Sequence, residues 1–261
     1  MGVAAATGPV LAQVSSDRLL GVPGVVLVPG LGLDQRSSAR VRRRIAADVV
    51  LLPGMGRRRA VPSTDDLARL LLGRLGPGPV LLVGHSQSCE VVVAAAARDD
   101  RVTGLLLLGP TTDPPMRRLP VLALRWVRTA VREPWWQVPL ILAQWLRTGP
   151  RAMVALWRRT APDPVDERLR GVAVPVLVVR GTRDALCPRD WAAHLAGCAP
   201  RGRLVELAGA AHMTVQSHPN DVVRLLQELG AAPAVPAGGR PGRRRSGALP
   251  EVRRRRPRGP S

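Results

Sequence analysis

The sequence contains no lysine, phenylalanine or tyrosine, one asparagine (Asn220) and two isoleucines (Ile45 and Ile141). All 39 basic residues are therefore arginines. The scarce residues share AT-rich codons, so this bias is typical of a GC-rich genome. The net charge of +20 is for that reason a weak indication of nucleic-acid binding. The aromatic residues that would stack on bases are scarce too, and we expect no nucleic-acid partner.

Cysteines and long apolar runs are also few. There are three cysteines, Cys89, Cys187 and Cys198, and their spacing does not match a metal-binding motif, so no metal site is expected. Whether Cys187 and Cys198 form a disulfide is left open by the sequence. The first residues lack a positively charged segment followed by a long apolar one. No run reaches the roughly 18 apolar residues that a membrane-spanning helix needs. These absences predict a cytoplasmic protein without a transmembrane segment.

The length and hydrophobic content suit one α/β domain, because 261 residues of which 46% are hydrophobic can bury a sizeable core. Residues 1–21 are a lead-in. Residues 231–261 hold nine arginines and one acidic residue among many prolines and glycines. That composition predicts a disordered tail, because it offers almost no apolar surface to bury.

The central stretch runs from Val80 to Ala97. Four apolar residues after Pro79 predict a strand buried on both faces of a parallel sheet. The small apolar residues after Ser88 predict a helix packed into the domain centre. Only a sharp turn fits between them, and Ser86 lies at its apex. A serine there is exposed above the sheet edge, beside backbone N–H groups at a helix N-terminus.

Strands and helices alternate along most of the chain, which predicts a mostly parallel sheet with helices on both faces. The predicted core comprises residues 22–113 and 167–230. The predicted strands are Val25–Val28, Val49–Leu52, Val80–Val83, Gly104–Leu108, Val174–Val179 and Arg203–Leu207. Helices are predicted over Asp34–Ala47, Ser63–Leu75, Cys89–Ala97, Pro188–Leu195 and Pro219–Leu229.

Residues 114–166, which we call the helical insert, interrupt this alternation. Apolar helical patterns cover Leu119–Arg132, Trp135–Arg147 and Arg151–Arg159. The insert leaves and rejoins the sheet at its carboxyl edge, so we expect a lid over a pocket. Trp126, Trp135, Trp136 and Trp145 are the candidate pocket residues, unless they only pack the insert's own core. Arg125, Arg128 and Arg132 share a stripe that would select an anionic substrate if it faced inward.

The residues Gly84-His85-Ser86-Gln87-Ser88 resemble the G-x-S-x-G nucleophile elbow of the α/β-hydrolase family. Ser88 replaces the second glycine, at a position that must be small because strand and helix nearly touch there. In that family the loop after the first core strand completes the oxyanion hole. The loop here begins Pro29-Gly30, without the usual histidine. The resemblance therefore implies the backbone N–H groups of Leu31 and Gln87 as oxyanion donors.

The same resemblance implies a catalytic triad in the chain order Ser86, Asp184, His212. Asp184 and His212 each follow a predicted strand, and the carboxyl ends of parallel strands share one edge of the sheet. His212 would act as the base for Ser86, and Asp184 would orient the imidazole. Asp113, which follows another strand, is the alternative acid.

The resulting expectation is a serine hydrolase that forms an acyl-enzyme with a small or medium apolar ester-like substrate. No metal or other cofactor is expected, and the oligomeric state is open. The alternative is a small-molecule-binding protein that keeps this fold without the chemistry. Because the family also acts on thioesters, amides, lactones and carbon–carbon bonds, the resemblance leaves the bond open.

Overall fold

The computed structural model describes residues 23–231 and contains a six-stranded parallel sheet. Its strands are β1 (Gly24–Val28), β2 (Asp48–Val49), β5 (Val80–His85), β6 (Val102–Leu108), β7 (Val176–Gly181) and β8 (Gly202–Leu207). They lie side by side in the order β2-β1-β5-β6-β7-β8. The short strands β3 (Leu52–Pro53) and β4 (Gly56–Arg57) form a second parallel pair. The prediction of a mostly parallel sheet is confirmed.

Helices connect the strands and cover both faces of the sheet. The helices outside the insert are α1 (Ala39–Arg42), α2 (Thr64–Leu72), α3 (Cys89–Ala96), α8 (Arg189–Cys198), α9 (Thr214–Ser217) and α10 (Pro219–Ala231). Successive side chains of β5 point to opposite faces of the sheet, and each face has its own cluster of buried apolar residues. Val80 and Leu82 belong to one cluster, and Leu81 and Val83 belong to the other. Strands with both faces covered read as continuous apolar runs, which is why they could be recognised in the sequence.

Two predicted elements differ from the structure. The helix predicted over Asp34–Ala47 is only the single turn α1, because Asp34 starts a turn instead: its carboxylate accepts the backbone N–H of Arg36 at 2.9 Å. The strand predicted over Val49–Leu52 is divided into β2 and β3. The apolar residues correctly indicated a buried segment in both places, but they did not indicate its secondary structure, which depends on local hydrogen bonds.

The helical insert lies between β6 and β7 and contains α4 (Leu119–Ala130), α5 (Val138–Thr148) and α6 (Pro150–Thr160). A further short helix, α7 (Val165–Leu169), crosses the predicted boundary between the insert and the core. The polarity of the insert's helices is the reverse of that in most soluble domains, where the apolar face packs inward. The five uncharged polar side chains between residues 114 and 160 are all buried. They are Thr129, Gln137, Gln144, Thr148 and Thr160. Most of the large apolar side chains of α4 and α5 lie outside.

Four of these five side chains, all except Gln137, hydrogen-bond to the segments at the carboxyl edge of the sheet. Gln144 Oε1 accepts the backbone N–H of Asp34 at 2.8 Å, and Thr148 Oγ1 donates to the Gly32 carbonyl at 2.8 Å. Thr160 donates to the side-chain carbonyl of Gln87. Loop backbone groups need such partners once the insert excludes water from them. Helical periodicity shows where the two faces of a helix are, but not which face meets the core.

Among residues 23–231, no helix has the length and apolar character needed to cross a membrane. The lead-in (1–21) and the tail (231–261) fall outside the described residues, apart from Ala231. Cys89, Cys187 and Cys198 are all free thiols in the structure.

Candidate active site

The candidate nucleophile Ser86 occupies a sharp turn between β5 and α3. Its φ angle is +56°, in the left-handed region that costs a non-glycine residue roughly 1–2 kcal/mol. A 3-10 turn over Ser86–Ser88 then leads directly into α3. The surrounding strand and helix hold this conformation, which directs the Ser86 side chain away from the sheet.

Gly84 and Ser88 let the strand and the helix approach each other. A Cβ added at Gly84 would lie 2.7 Å from Val92 Cγ2 and 2.9 Å from Cys89 Cα, so only glycine fits. Ser88 is fully buried, and its hydroxyl donates to the Val28 carbonyl at 2.7 Å and accepts the His85 backbone N–H at 2.8 Å. The serine therefore ties the turn to β1, a contact that the usual glycine could not make.

His212 and Asp184 form a buried hydrogen-bonded pair at the same edge. Asp184 Oδ2 lies 2.8 Å from His212 Nδ1, and Asp184 Oδ1 accepts the backbone N–H groups of Leu186 (2.9 Å) and Cys187 (3.2 Å). Burial opposes ionisation of Asp184, yet the charge of His212 and these hydrogen bonds lower its pKa overall. Burial likewise opposes protonation of His212, but Asp184 raises the His212 pKa above its ordinary value.

Glycine at position 109 makes room for this pair. Gly109 has φ +55° at the end of β6, and an added Cβ would lie 2.9 Å from His212 Nδ1 and 3.1 Å from Asp184 Oδ2. The segments that follow β6, β7 and β8 therefore converge on the pair.

The alternative acid, Asp113, has other partners. Its Oδ2 forms an ion pair with Arg125 at 2.5 Å, and its Oδ1 accepts the backbone N–H of Met116 at 3.2 Å. Asp113 thus caps the turn that begins the helical insert. The inward arginine of the predicted stripe, Arg125, is occupied by this carboxylate, whereas Arg128 and Arg132 are exposed.

His85, beside Ser86, is a buried neutral histidine. Burial lowers its pKa to about 3, and repulsion from His212, whose ring centroid is 5.1 Å away, acts in the same direction. Its Nε2 donates to the His212 carbonyl at 3.2 Å. His85 therefore supports the His212 backbone and is not a proton carrier near neutral pH.

The glycine loop after β1 lies against the turn that carries Ser86. A Cβ added at Gly30 would lie 3.1 Å from Ser86 Cβ and 2.9 Å from the His85 carbonyl oxygen. The next residue of this loop is Leu31, whose backbone N–H the resemblance implies as one oxyanion donor. Gln87, whose N–H is the other candidate donor, is buried and donates from Nε2 to Thr112 Oγ1 at 2.7 Å.

Ser86 Oγ contacts Thr111 Oγ1 at 3.4 Å, a partner that the sequence did not indicate. Thr111 also accepts a hydrogen bond from Gln87 Nε2 at 3.1 Å. Ser86 is 8% exposed and His212 is 7% exposed, so both side chains are buried in this structure. Only the fold brings Thr111 and Thr160 to this edge, because neither belongs to a recognisable motif.

Glu133 is the most informative residue that sequence reasoning missed. It is the only acidic residue from 114 to 160, and its Oε1 accepts the backbone N–H of Met213, next to His212, at 2.8 Å. Nearby, Thr129 Oγ1 accepts the backbone N–H of Ala185 at 3.1 Å. One end of α4 therefore holds the residues that follow Asp184 and His212. A lone acidic residue in an apolar insert was the available signal.

We expect Glu133→Gln to move the acid limb of kcat/KM to lower pH. The Glu133 carboxylate helps to raise the pKa of His212, and the neutral amide removes that charge while keeping an oxygen for Met213. A base works in its neutral form, so a lower His212 pKa extends activity to lower pH. The measurement is a pH–rate profile. Thr129→Val, which changes no charge, is the control, and a profile for Glu133→Gln that overlays wild type would contradict this role.

The four candidate pocket tryptophans do not lie together. Trp145 contacts the loop after β1, since its Cδ1 lies 2.6 Å from a Cβ added at Gly32, and Trp126 packs on it with ring centroids 5.2 Å apart. Trp136 lies under the guanidinium of Arg40 at 4.0 Å. Trp135 is 82% exposed, so the prediction that it lines a pocket is wrong for this structure. Sequence spacing alone could not separate inner from outer tryptophans.

The chain belongs to the α/β-hydrolase family, whose sequence model matches residues 25–225, more than half of its length. The fold and the strained serine turn at the carboxyl edge agree with that assignment. No curated protein matches the chain in sequence. Within residues 23–231, no group of three or more histidine, cysteine, aspartate or glutamate side chains is arranged to hold a metal ion.

Solved structures share this fold at low sequence identity. A hydrolase from Oleispira antarctica is 16% identical, with a TM-score of 0.67 over 81% of this chain and 92% of that one. An esterase from Rhodococcus sp. ECU1013 is 21% identical, with a TM-score of 0.60 over 80% and 90%. The enol-lactonase from Burkholderia xenovorans LB400 is 19% identical, with a TM-score of 0.61 over 80% and 91%. The family match and these neighbours agree on the α/β-hydrolase fold.

Proposed function

We propose that the protein is a serine hydrolase that cleaves a carboxylic ester or a related acyl bond through Ser86, His212 and Asp184. The observation that carries the proposal is the juxtaposition of two independent features. Ser86 is held at φ +56° on a strand–helix turn, and a buried His212–Asp184 pair with a 2.8 Å hydrogen bond lies at the same sheet edge. Neither feature is needed to complete the core.

In the proposed mechanism, His212 Nε2 accepts the proton of the Ser86 hydroxyl as Ser86 Oγ attacks the substrate carbonyl. Asp184 keeps the remaining proton on Nδ1 and stabilises the imidazolium. The backbone N–H groups of Leu31 and Gln87 stabilise the oxyanion of the tetrahedral intermediate. His212 then protonates the leaving alcohol, and water hydrolyses the acyl-enzyme by the same steps.

A small or medium apolar acyl group is the proposed substrate class. Trp145 and Met153 both contact Gly32, one residue from the Leu31 donor, and offer indole and thioether surface there. Each methylene buried on such a surface contributes roughly 0.8 kcal/mol, or about fourfold in kcat/KM.

The test is a p-nitrophenyl ester series from two to ten acyl carbons. We expect kcat/KM to rise with chain length and then fall when the pocket is full. Trp145→Ala should flatten the rising part, whereas Trp135→Ala, which alters an exposed side chain, should leave the profile unchanged. A flat or steadily falling wild-type profile would contradict an apolar acyl pocket.

A further inference from the structure

The outer surface of the helical insert is unusual in composition. Every exposed residue from 114 to 159 is proline, arginine, leucine, alanine, tryptophan or valine. Eleven of the twelve large apolar side chains that are exposed within residues 23–231 lie between Leu119 and Val154. An exposed apolar patch of this extent is typical of an interaction surface.

The apolar residues form a stripe on each of two helices that touch. On α4 and its C-cap the exposed residues Leu124, Val127 and Val131 follow i, i+3, i+7 spacing. On α5 the exposed residues Val138, Leu142 and Leu146 follow i, i+4, i+8 spacing. The Trp126–Trp145 contact joins the two helices. Both helices are therefore amphipathic with their apolar stripes turned away from the protein.

The charged residues on this surface have one sign. Eight arginines are exposed between residues 114 and 160, and within residues 23–231 none of them forms an ion pair with a carboxylate. They are Arg117, Arg118, Arg128, Arg132, Arg147, Arg151, Arg158 and Arg159. The only acidic residue of this segment, Glu133, is turned inward toward Met213. A cavity of about 520 Å³ beside the insert adds Arg58 and Arg59 to Arg151, and no acidic residue lines it.

We infer that the outer face of the helical insert binds the surface of a bilayer that contains anionic phospholipids. Apolar and indole side chains interleaved with arginines, without carboxylates or exposed amides, match the acyl boundary and the phosphate headgroups of such a membrane. The polar groups of this surface are hydrogen-bond donors, the guanidinium groups and the indole N–H groups, without carboxylate or amide acceptors. Such a surface complements phosphate oxygens, which only accept, better than the mixed donors and acceptors of a protein surface. The inference does not depend on catalysis, so it can fail or succeed independently of the proposed hydrolase activity.

The test is flotation of the full-length protein with large unilamellar vesicles of phosphatidylcholine, with and without 30% phosphatidylglycerol (roughly one anionic lipid in three). We expect binding to the anionic vesicles and at least about tenfold weaker binding to the neutral ones. The variant Trp135→Ser with Leu146→Ser, at side chains 82% and 73% exposed, should weaken binding to anionic vesicles at least about tenfold.

Leu70→Ser is the matched control, because Leu70 on α2 is the one exposed large apolar residue within residues 23–231 that lies outside the insert, and the substitution should leave binding unchanged. All these proteins keep residues 231–261, so charge in the tail affects them equally. Wild-type protein that fails to float, or a double variant that floats like wild type, would overturn the inference. So would full competition by millimolar inorganic phosphate, or a dimer in light scattering that the double variant dissociates.

Discussion

Ser86→Ala should lower the turnover of p-nitrophenyl butyrate by at least about a thousandfold. The substitution removes the attacking oxygen and leaves the His212–Asp184 pair and the backbone N–H groups in place. Binding and oxyanion stabilisation alone then support the residual rate. The measurement is steady-state hydrolysis, with the melting temperature recorded to show that the fold is intact. Turnover near that of wild type would contradict the assignment of the nucleophile.

Two further variants separate chemistry from structure at this position. Ser86→Gly should be as inactive as Ser86→Ala but more stable than wild type by about 1 kcal/mol, because glycine tolerates φ +56° without strain. Ser63→Ala is the matched serine control. It removes the cap of α2, where Ser63 Oγ accepts the Asp66 backbone N–H at 3.2 Å, and should reduce stability slightly while leaving turnover unchanged.

Asp184→Asn should lower kcat by roughly 10³- to 10⁴-fold, whereas Asp113→Asn should cost no more than about tenfold. The amide at position 184 can donate to His212 Nδ1, which stabilises the tautomer that cannot take the Ser86 proton. Asp113 contacts Arg125 and the Met116 backbone instead, so its amide weakens the start of the insert without touching His212.

The comparison is made on kcat and on melting temperature together. Asp113→Asn should show the larger change in stability relative to its change in rate, because it breaks an ion pair with Arg125 that is largely shielded from solvent. A greater loss of kcat in Asp113→Asn than in Asp184→Asn would transfer the acid to the end of β6.

The sheet and the candidate triad were predictable because their signals are local. Buried parallel strands such as β5 are uninterrupted apolar runs, and glycine or polar residues soon after β5, β6, β7 and β8 mark the carboxyl edge. Ser86 and Asp184 follow such runs, whereas His212 follows the partly exposed edge strand β8, which includes Arg203 and Glu206. The right-handed crossover rule then brings their positions to one edge without any knowledge of tertiary contacts.

The contacts made by the helical insert were not predictable in the same way. Thr160 reaches Gln87 and Glu133 reaches Met213 across 73 and 80 residues, and no periodicity encodes such pairs. In most soluble domains the apolar face of a helix packs against the core. In the structure, polar side chains of α4 and α5 point inward and hydrogen-bond to backbone groups of the loops. Because the polar face is needed there, the apolar face points outward.

The most direct measurement of the central claim is labelling by a fluorophosphonate probe, followed by mass spectrometry of the modified peptide. We expect a single covalent adduct on Ser86, formed much more slowly in His212→Ala and absent in Ser86→Ala. That result requires a serine activated by its histidine, which a binding protein on this fold would not need. No labelling of folded wild-type protein, or an adduct on another serine, would contradict the proposal that Ser86 is the nucleophile of a hydrolase.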